Sequence, residues 1–146
     1  IILLAFLIQT GYVNGFVVWI SLPIVITIGL INMANNIRDR VKDKASGRKT
    51  LPILLGKKAS IIFMAAMYIL AYLIVIFTAL FKSGGSLFYL LVLFSFPMPI
   101  KAIRRFNKND TPASMMPAMA ATGKTNTVFG ILYALGIYIS ALLGGI

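Results

Sequence analysis

Two of the chain's three carboxylates, Asp39 and Asp43, lie four residues apart. On a helix, residues at this spacing share a face, and Asn32 and Asn36 continue that face toward the N-terminus. Carboxylate and amide oxygens are the hard ligands that Mg²⁺ prefers, and Mg²⁺ takes its remaining ligands from water and substrate phosphates. The pattern therefore predicts a helix that holds a metal-bridged diphosphate.

Basic residues surround the acidic pair and favour the same chemistry, because they can neutralise phosphate oxygens. They are Arg38, Arg40, Lys42, Lys44, Arg48 and Lys49. A structural interpretation is also open, in which the two acids only form ion pairs with these neighbours on a solvated helix face. The asparagines favour a site, since four polar residues on one face near a helix end are not expected to point into lipid.

The polar stripe formed by Asn32, Asn36, Asp39 and Asp43 lies in a chain that has the composition of a membrane protein. The chain is 60% hydrophobic with a mean hydropathy of +0.94, and residues 1–37, 59–81, 83–100 and 125–146 contain no charge. Such stretches cross a hydrocarbon core of about 30 Å as helices, because backbone groups in lipid must pair within the segment. The prediction is an all-α transmembrane bundle. With no Cys and no His, any metal must be held by oxygen.

The charge-free stretches place the membrane spans. We expect the end of a helix at 1–8 and complete spans at 16–37, 59–81, 86–103 and 125–145, with polar loops at 38–58 and 101–124. The second span is expected to continue as helix to about Asp43. Pro97 is expected to end or kink its helix, and Gly130, Gly136 and Gly144-Gly145 to allow close helix approach.

The distribution of basic residues predicts the orientation. Of fourteen Lys and Arg residues, eight lie in 38–58 and five in 101–124, so the positive-inside rule places both loops in the cytoplasm. The acidic pair is then on the cytoplasmic side. Topology and attraction to the lipid bilayer account for the net charge of +11, so no nucleic-acid partner is expected.

The stretch 35–58 reads NNIRDRVKDKASGRKTLPILLGKK. It resembles the second aspartate-rich motif of the UbiA superfamily of intramembrane prenyltransferases, and within it that of the dihydroxynaphthoate polyprenyltransferases of menaquinone synthesis. The matching residues are, in order, Asn35-Asn36, Arg38-Asp39, Asp43, Gly47-Arg48-Lys49-Thr50-Leu51 and Leu55-Gly56. The segment KTNTVFGILYALG at 124–136 is similar to the last helix of that branch.

This resemblance implies a bundle of about nine helices, of which residues 1–146 supply roughly the last five as one N-terminally truncated domain. The other aspartate-rich motif belongs to the half that precedes them. Because the two motifs act together in that family, residues 1–146 alone are expected to be inactive.

The resemblance also assigns roles within the motif. Asp39 and Asp43 are the implied catalytic metal ligands for Mg²⁺, and Asn36 supports them at the metal. The implied diphosphate contacts are Arg38, Lys44, Arg48 and Lys49. One departure from the family pattern is that Arg40 and Lys42 lie between the two aspartates, where they are placed to form local ion pairs.

The implied activity is Mg²⁺-dependent transfer of a polyprenyl group from polyprenyl diphosphate to 1,4-dihydroxy-2-naphthoate in a bacterial-type cytoplasmic membrane. Transfer to another aromatic acceptor, such as 4-hydroxybenzoate, stays open within the superfamily. So does a different class, a transporter or a structural membrane subunit. A transporter is disfavoured because it should carry charged groups near mid-membrane, and the spans predicted here have none.

Overall fold

Helices account for every regular element in residues 1–143, the part of the chain that the computed structural model describes. They are α1 (Ile2–Thr10), α2 (Gly15–Ala45), α3 (Leu51–Phe81), a 3₁₀ helix (Leu87–Ser95), α4 (Pro97–Lys108) and α5 (Met116–Leu142). The all-α prediction is confirmed. The predicted span 125–145 ends beyond the described residues, and the expected role of Gly144-Gly145 lies outside them.

Local sequence sets the ends and breaks of the two long helices. The Asn14 side chain caps α2 by accepting a hydrogen bond from the Phe16 backbone N–H at 2.8 Å. Helix α2 continues past Pro23 without ending. Helix α3 is divided by Gly56, whose φ of 80° and ψ of 167° are open to glycine but strained for other residues. Residues 51–55 therefore form a short helical segment set apart from 57–81.

The two segments predicted as polar loops are shorter in the structure. Helix α2 extends to Ala45, two residues beyond the expected end, and α3 begins at Leu51, so 46–50 connects them. Within 101–124, α4 runs to Lys108 and α5 begins at Met116, which leaves 109–115 as the connection. The basic residues of 101–124 therefore project from helices, where helical spacing fixes which of them lie together.

The segment predicted as the span 86–103 is two helices in the structure. A 3₁₀ helix occupies 87–95, and α4 starts at Pro97, which fits the first turn because its missing N–H has no intrahelical partner there. The expectation that Pro97 ends or kinks a helix agrees with this break. At nine residues the 3₁₀ helix is long for its type.

The helices close into a ring around two clusters of buried hydrophobic residues. Helix α2 packs on α3, and α3 packs on both the 3₁₀ helix and α4. The 3₁₀ helix and α4 in turn pack on α5, which closes the ring by packing on α2. Helix α1 packs on α2. The Gly136 expectation agrees with a close approach, because a Cβ there would lie under 3 Å from the Phe88 carbonyl oxygen. The buried side chains include Leu30, Ile37, Met64, Tyr72, Val75, Phe106, Phe129 and Tyr133.

The outward faces of the helices are apolar. Large hydrophobic side chains are exposed along them, among them Val25, Ile62, Leu73, Phe94 and Ile131. Helices α2, α3, α5 and the 3₁₀–α4 pair are each long and apolar enough to cross a membrane. An apolar exterior around a packed, helical interior suits a bilayer, because the hydrocarbon core offers no partners for polar groups.

Candidate metal and diphosphate site

The acidic pair lies on the last turns of α2, beyond the charge-free stretch that ends at residue 37. Along the polar stripe, exposure changes with position: Asn32 is exposed, Asn36 and Asp39 are half-buried, and Asp43 is buried. The continuation of α2 past its apolar part is what places all four residues on one helical face. The structure therefore preserves the arrangement that the spacing predicts.

Asp39 is paired with the residue before it. Arg38 donates from Nε to Asp39 Oδ1 at 2.8 Å and from Nη2 to Oδ2 at 2.6 Å, a two-point contact. This hydrogen bonding lowers the pKa of the Asp39 carboxyl from its ordinary value, so the carboxylate form is favoured. Arg38 also reaches α5, where its Nη1 lies 2.9 Å from Met119 Sδ. It thus fixes Asp39 while bridging two helices.

Asp43 is paired across the turn that follows α2. Arg48 Nη1 donates to Asp43 Oδ1 at 3.2 Å, and the Arg48 backbone N–H donates to the Asp43 carbonyl oxygen at 3.0 Å. Gly47 has a φ of 73°, which lets the chain reverse direction so that Arg48 reaches Asp43. The Asp43 side chain is 9% exposed and that of Arg48 is 69% exposed. A buried acid is therefore covered by a cation that stays accessible from outside.

A groove between α2 and α3 begins at the same polar stripe. Its volume is about 310 Å³, and it is lined by Ile26, Gly29, Leu30, Asn32, Met33, Asn36, Leu51, Phe63 and Met67. Seven of these nine residues are apolar, so the groove offers an apolar surface with two amides near one end. Such a surface suits a long hydrocarbon whose polar end stays beside the amides.

The other two predicted diphosphate contacts, Lys44 and Lys49, are exposed residues. Lys44 lines a separate surface cavity of about 530 Å³ with Arg40, Val41, Ala45 and Ile53, and Lys49 is exposed. Neither lysine forms an ion pair with a carboxylate within residues 1–143, and the same holds for Arg40 and Lys42. The local ion pairs expected between Arg40 or Lys42 and the aspartates are instead made by Arg38 and Arg48.

The side chain of Thr50 was missed by sequence reasoning as a polar group of this region. Its Oγ1 is buried without a hydrogen-bond partner in the described part of the chain, directly after Lys49. Its position in the Gly-Arg-Lys-Thr-Leu stretch was visible, but burial of a hydroxyl depends on how α3 packs and is not encoded in the spacing. The hydrogen-bonding capacity of this hydroxyl is therefore unused within residues 1–143.

The donor set fits Mg²⁺ in kind. Two carboxylates and an amide supply only oxygen ligands, and no group of three or more His, Cys, Asp or Glu residues forms a metal cage in residues 1–143. Mg²⁺ is commonly held by one or two carboxylates together with water and substrate phosphates, so a full protein cage is not needed. Arg38 and Arg48 supply the positive charge that balances the two carboxylates.

The fold and this site define the class: an integral membrane protein built from helices, with a charged site at one end of its bundle. The chain belongs to the UbiA prenyltransferase family, which matches residues 1–128.

Individual relatives agree with this family. The chain is 43% identical over 95% of its length to a 1,4-dihydroxy-2-naphthoate octaprenyltransferase of Bacillus subtilis, covering 44% of that protein. It is 33% identical over 90% of its length to a UbiA prenyltransferase domain-containing protein 1 homolog of Drosophila melanogaster and covers 35% of that protein. It is 30% identical over 95% of its length to the UbiA prenyltransferase domain-containing protein 1 of Rattus norvegicus and covers 39% of that protein. No solved structure matches. The chain thus spans less than half the length of these curated relatives.

Proposed function

We propose that the complete protein transfers a polyprenyl group from polyprenyl diphosphate to 1,4-dihydroxy-2-naphthoate, a membrane step of menaquinone biosynthesis. The observation that carries this proposal is the 43% identity over 95% of the chain to the Bacillus subtilis 1,4-dihydroxy-2-naphthoate octaprenyltransferase. The apolar groove that reaches Asn36, on the helical face that also carries Asp39 and Asp43, supports it, because an apolar groove and a charged helix end together suit a substrate with a charged head and a hydrocarbon tail.

Within this proposal, Asp39, Asp43 and Asn36 hold Mg²⁺ at the C-terminal end of α2. When bound, the ion neutralises the diphosphate and stabilises the negative charge that develops on the leaving group. Arg38 and Arg48 exchange their carboxylate partners for diphosphate oxygens, and Arg48 is the better placed because most of its side chain is exposed. Lys44 and Lys49 add positive charge around the same helix end.

The groove and the charged end then act in sequence on one substrate. The α2–α3 groove orients the prenyl chain, with its first carbon beside the charged end. Cations at that end favour departure of the diphosphate by stabilising its charge, which leaves an electron-poor allylic carbon for the aromatic ring to attack. The naphthoate carboxyl is lost as the new carbon–carbon bond is completed. The acceptor pocket draws on parts of the complete protein outside this chain.

The test is an activity assay of the complete protein in vesicles, with octaprenyl diphosphate and 1,4-dihydroxy-2-naphthoate. Asp39→Asn and Asp43→Asn should each lower Mg²⁺-dependent transfer by at least about a hundredfold. A neutral amide binds Mg²⁺ more weakly than a carboxylate, so the negative charge that develops on the diphosphate is less well stabilised. Asp110→Asn is the matched control: the third carboxylate is 85% exposed and paired with Lys57, so activity should stay within about twofold.

Full activity in both Asp39→Asn and Asp43→Asn would contradict the enzymatic proposal. Transfer to 4-hydroxybenzoate without transfer to the naphthoate would move the protein to another branch of the family. Residues 1–146 alone are expected to show no transfer, and activity of this piece would contradict a site built from two aspartate-rich motifs.

A further inference from the structure

A second basic site lies between α4 and α5. The α4–α5 cleft has a volume of about 290 Å³ and is lined by Met98, Lys101, Arg105, Ala120, Ala121 and Lys124. Three of its six lining residues are cations and none is acidic. The other three give it an apolar floor. We propose that this cleft binds the headgroup of an anionic phospholipid from the surrounding membrane leaflet.

The three cations of the cleft form no ion pair with an acidic side chain within residues 1–143. The chain has only three acidic side chains, and all three are paired elsewhere, with Arg38, Arg48 and Lys57. Within residues 1–143, no side-chain carboxylate therefore remains to neutralise the three cations of the cleft. An anionic ligand supplies the missing charge, and a basic pocket between transmembrane helices at the cytoplasmic surface is a typical binding site for acidic lipid headgroups.

One of the three cations is held in place by the helix it faces. Arg105 Nη1 donates to the Pro117 carbonyl oxygen at 3.0 Å, across the connection between α4 and α5. This bond uses one of the five guanidinium donors, so others stay available to a phosphate. Lys101 and Lys124 are exposed and flexible, and they can close on a headgroup from the two sides of the cleft.

The depth of the cleft matches that of a lipid phosphate. Lys101 directly follows the charge-free stretch 83–100, and Lys124 directly precedes the charge-free stretch 125–146. Both cations therefore stand at the boundary between apolar and polar sequence, where lipid phosphates lie.

The cleft is separate from the acidic pair, which favours lipid over a second diphosphate. On α5, Met116 and Met119 contact Arg38, the partner of Asp39. Ala120, Ala121 and Lys124 line the α4 side of the same helix. Since successive residues of a helix point about 100° apart, Ala121 and Lys124 lie on a different flank of α5 from Met119, and Ala120 borders Met116 between them. The proposal therefore stands whether or not the proposed reaction is correct.

The test is native mass spectrometry of the complete detergent-purified protein. It is incubated with phosphatidylglycerol or with phosphatidylcholine of the same acyl chains, at an ionic strength that screens exposed charges. The native cleft should retain one phosphatidylglycerol in preference to phosphatidylcholine. Lys101→Gln with Lys124→Gln should lower the retained fraction by at least about fivefold, because each basic residue near anionic lipid contributes a factor of about five and two are lost.

The matched control removes the same charge outside the cleft. Arg104→Gln with Lys108→Gln changes two exposed residues of α4 and should lower retention by less than about twofold. Lys124→Gln alone, on an exposed position of α5, provides a milder variant, and thermal melting shows that each variant is folded.

Three outcomes would overturn the proposal. One is equal retention of phosphatidylcholine, and another is an equal loss in the cleft and control variants, which would indicate general charge attraction. The third is displacement of the lipid by excess inorganic phosphate, which would assign the cleft to a soluble anion.

Discussion

Arg48 donates a hydrogen bond to the carboxylate of Asp43 across 3.2 Å, so an expected diphosphate contact is also the partner of an expected metal ligand. This double role separates Arg48 from Lys49, the next residue, which makes no ion pair within residues 1–143. Arg48 stabilises the Asp43 carboxylate, which is only 9% exposed and would otherwise be a buried charge without a partner.

Arg48→Gln is therefore expected to affect the protein in two ways. It should lower the rate of prenyl transfer by about ten- to a hundredfold and also lower the melting temperature of the metal-free protein, because Asp43 loses its partner. Lys49→Gln removes the same charge and should lower only the rate. Transfer assays and melting curves, each with and without Mg²⁺, measure both effects.

Equal melting temperatures for Arg48→Gln and Lys49→Gln without Mg²⁺ would show that the pair with Asp43 has no structural role. Added Mg²⁺ should reduce the difference between the two variants, because the cation replaces Arg48 beside the carboxylate.

The predicted orientation can be measured in a cysteine-free form of the complete protein. Ser46 lies in the connection after α2, Ser83 lies in the turn after α3, and both are exposed. Ser46→Cys should react with a membrane-impermeant maleimide only from the cytoplasmic side, and Ser83→Cys only from the opposite side. Labelling of Ser46→Cys from outside intact cells would reverse the orientation and remove the acidic pair from the cytoplasm.

Lys57, on α3 directly after Gly56, contacts the connection between α4 and α5, since its Nζ donates to Asp110 Oδ1 at 2.6 Å and to the Asn109 carbonyl oxygen at 2.7 Å. Lys57→Met should destabilise the protein by about 1–2 kcal/mol, because the carbonyl loses its partner. Asp110→Asn should cost less than about 1 kcal/mol, because an 85% exposed carboxylate contributes little and Lys57 keeps its other bond. Melting curves of both variants test this order, and a larger loss for Asp110→Asn would contradict it.

The sequence predicted those parts of the molecule in which one local pattern decides the structure. Charge-free stretches predicted the long helices, and the spacing of Asn36, Asp39 and Asp43 predicted a common face. The partner of Asp43 was not predictable from helical spacing, because Arg48 reaches it only after the chain reverses at Gly47. Spacing alone pointed instead to Arg40 and Lys42, the cations between the two acids.

The end of α4, residues 104–108, was predicted as loop, although a signal for helix was present. Lys101, Arg104, Arg105 and Lys108 follow helical spacing, and Ala102 and Phe106 are buried on the opposite face. A polar stretch with this period indicates a helix rather than a loop. The α4–α5 cleft could not be predicted from the sequence, for a different reason. It depends on the packing of two helices whose cationic residues are separated by about twenty positions in sequence.

Gly136 tests the packing on which the whole ring depends. Gly136→Ala places a methyl group under 3 Å from the Phe88 carbonyl oxygen, and because that atom belongs to the backbone of the 3₁₀ helix, the two elements must move apart. Overpacking of this kind costs about 1–3 kcal/mol. Gly123→Ala is the matched control on the same helix, since no atom lies within 4 Å of its added Cβ and alanine favours a helix interior. Thermal unfolding of the complete protein in detergent should show a clear loss for Gly136→Ala and no loss for Gly123→Ala; equal melting temperatures would mean that α5 and the 3₁₀ helix do not pack as closely as the structure places them.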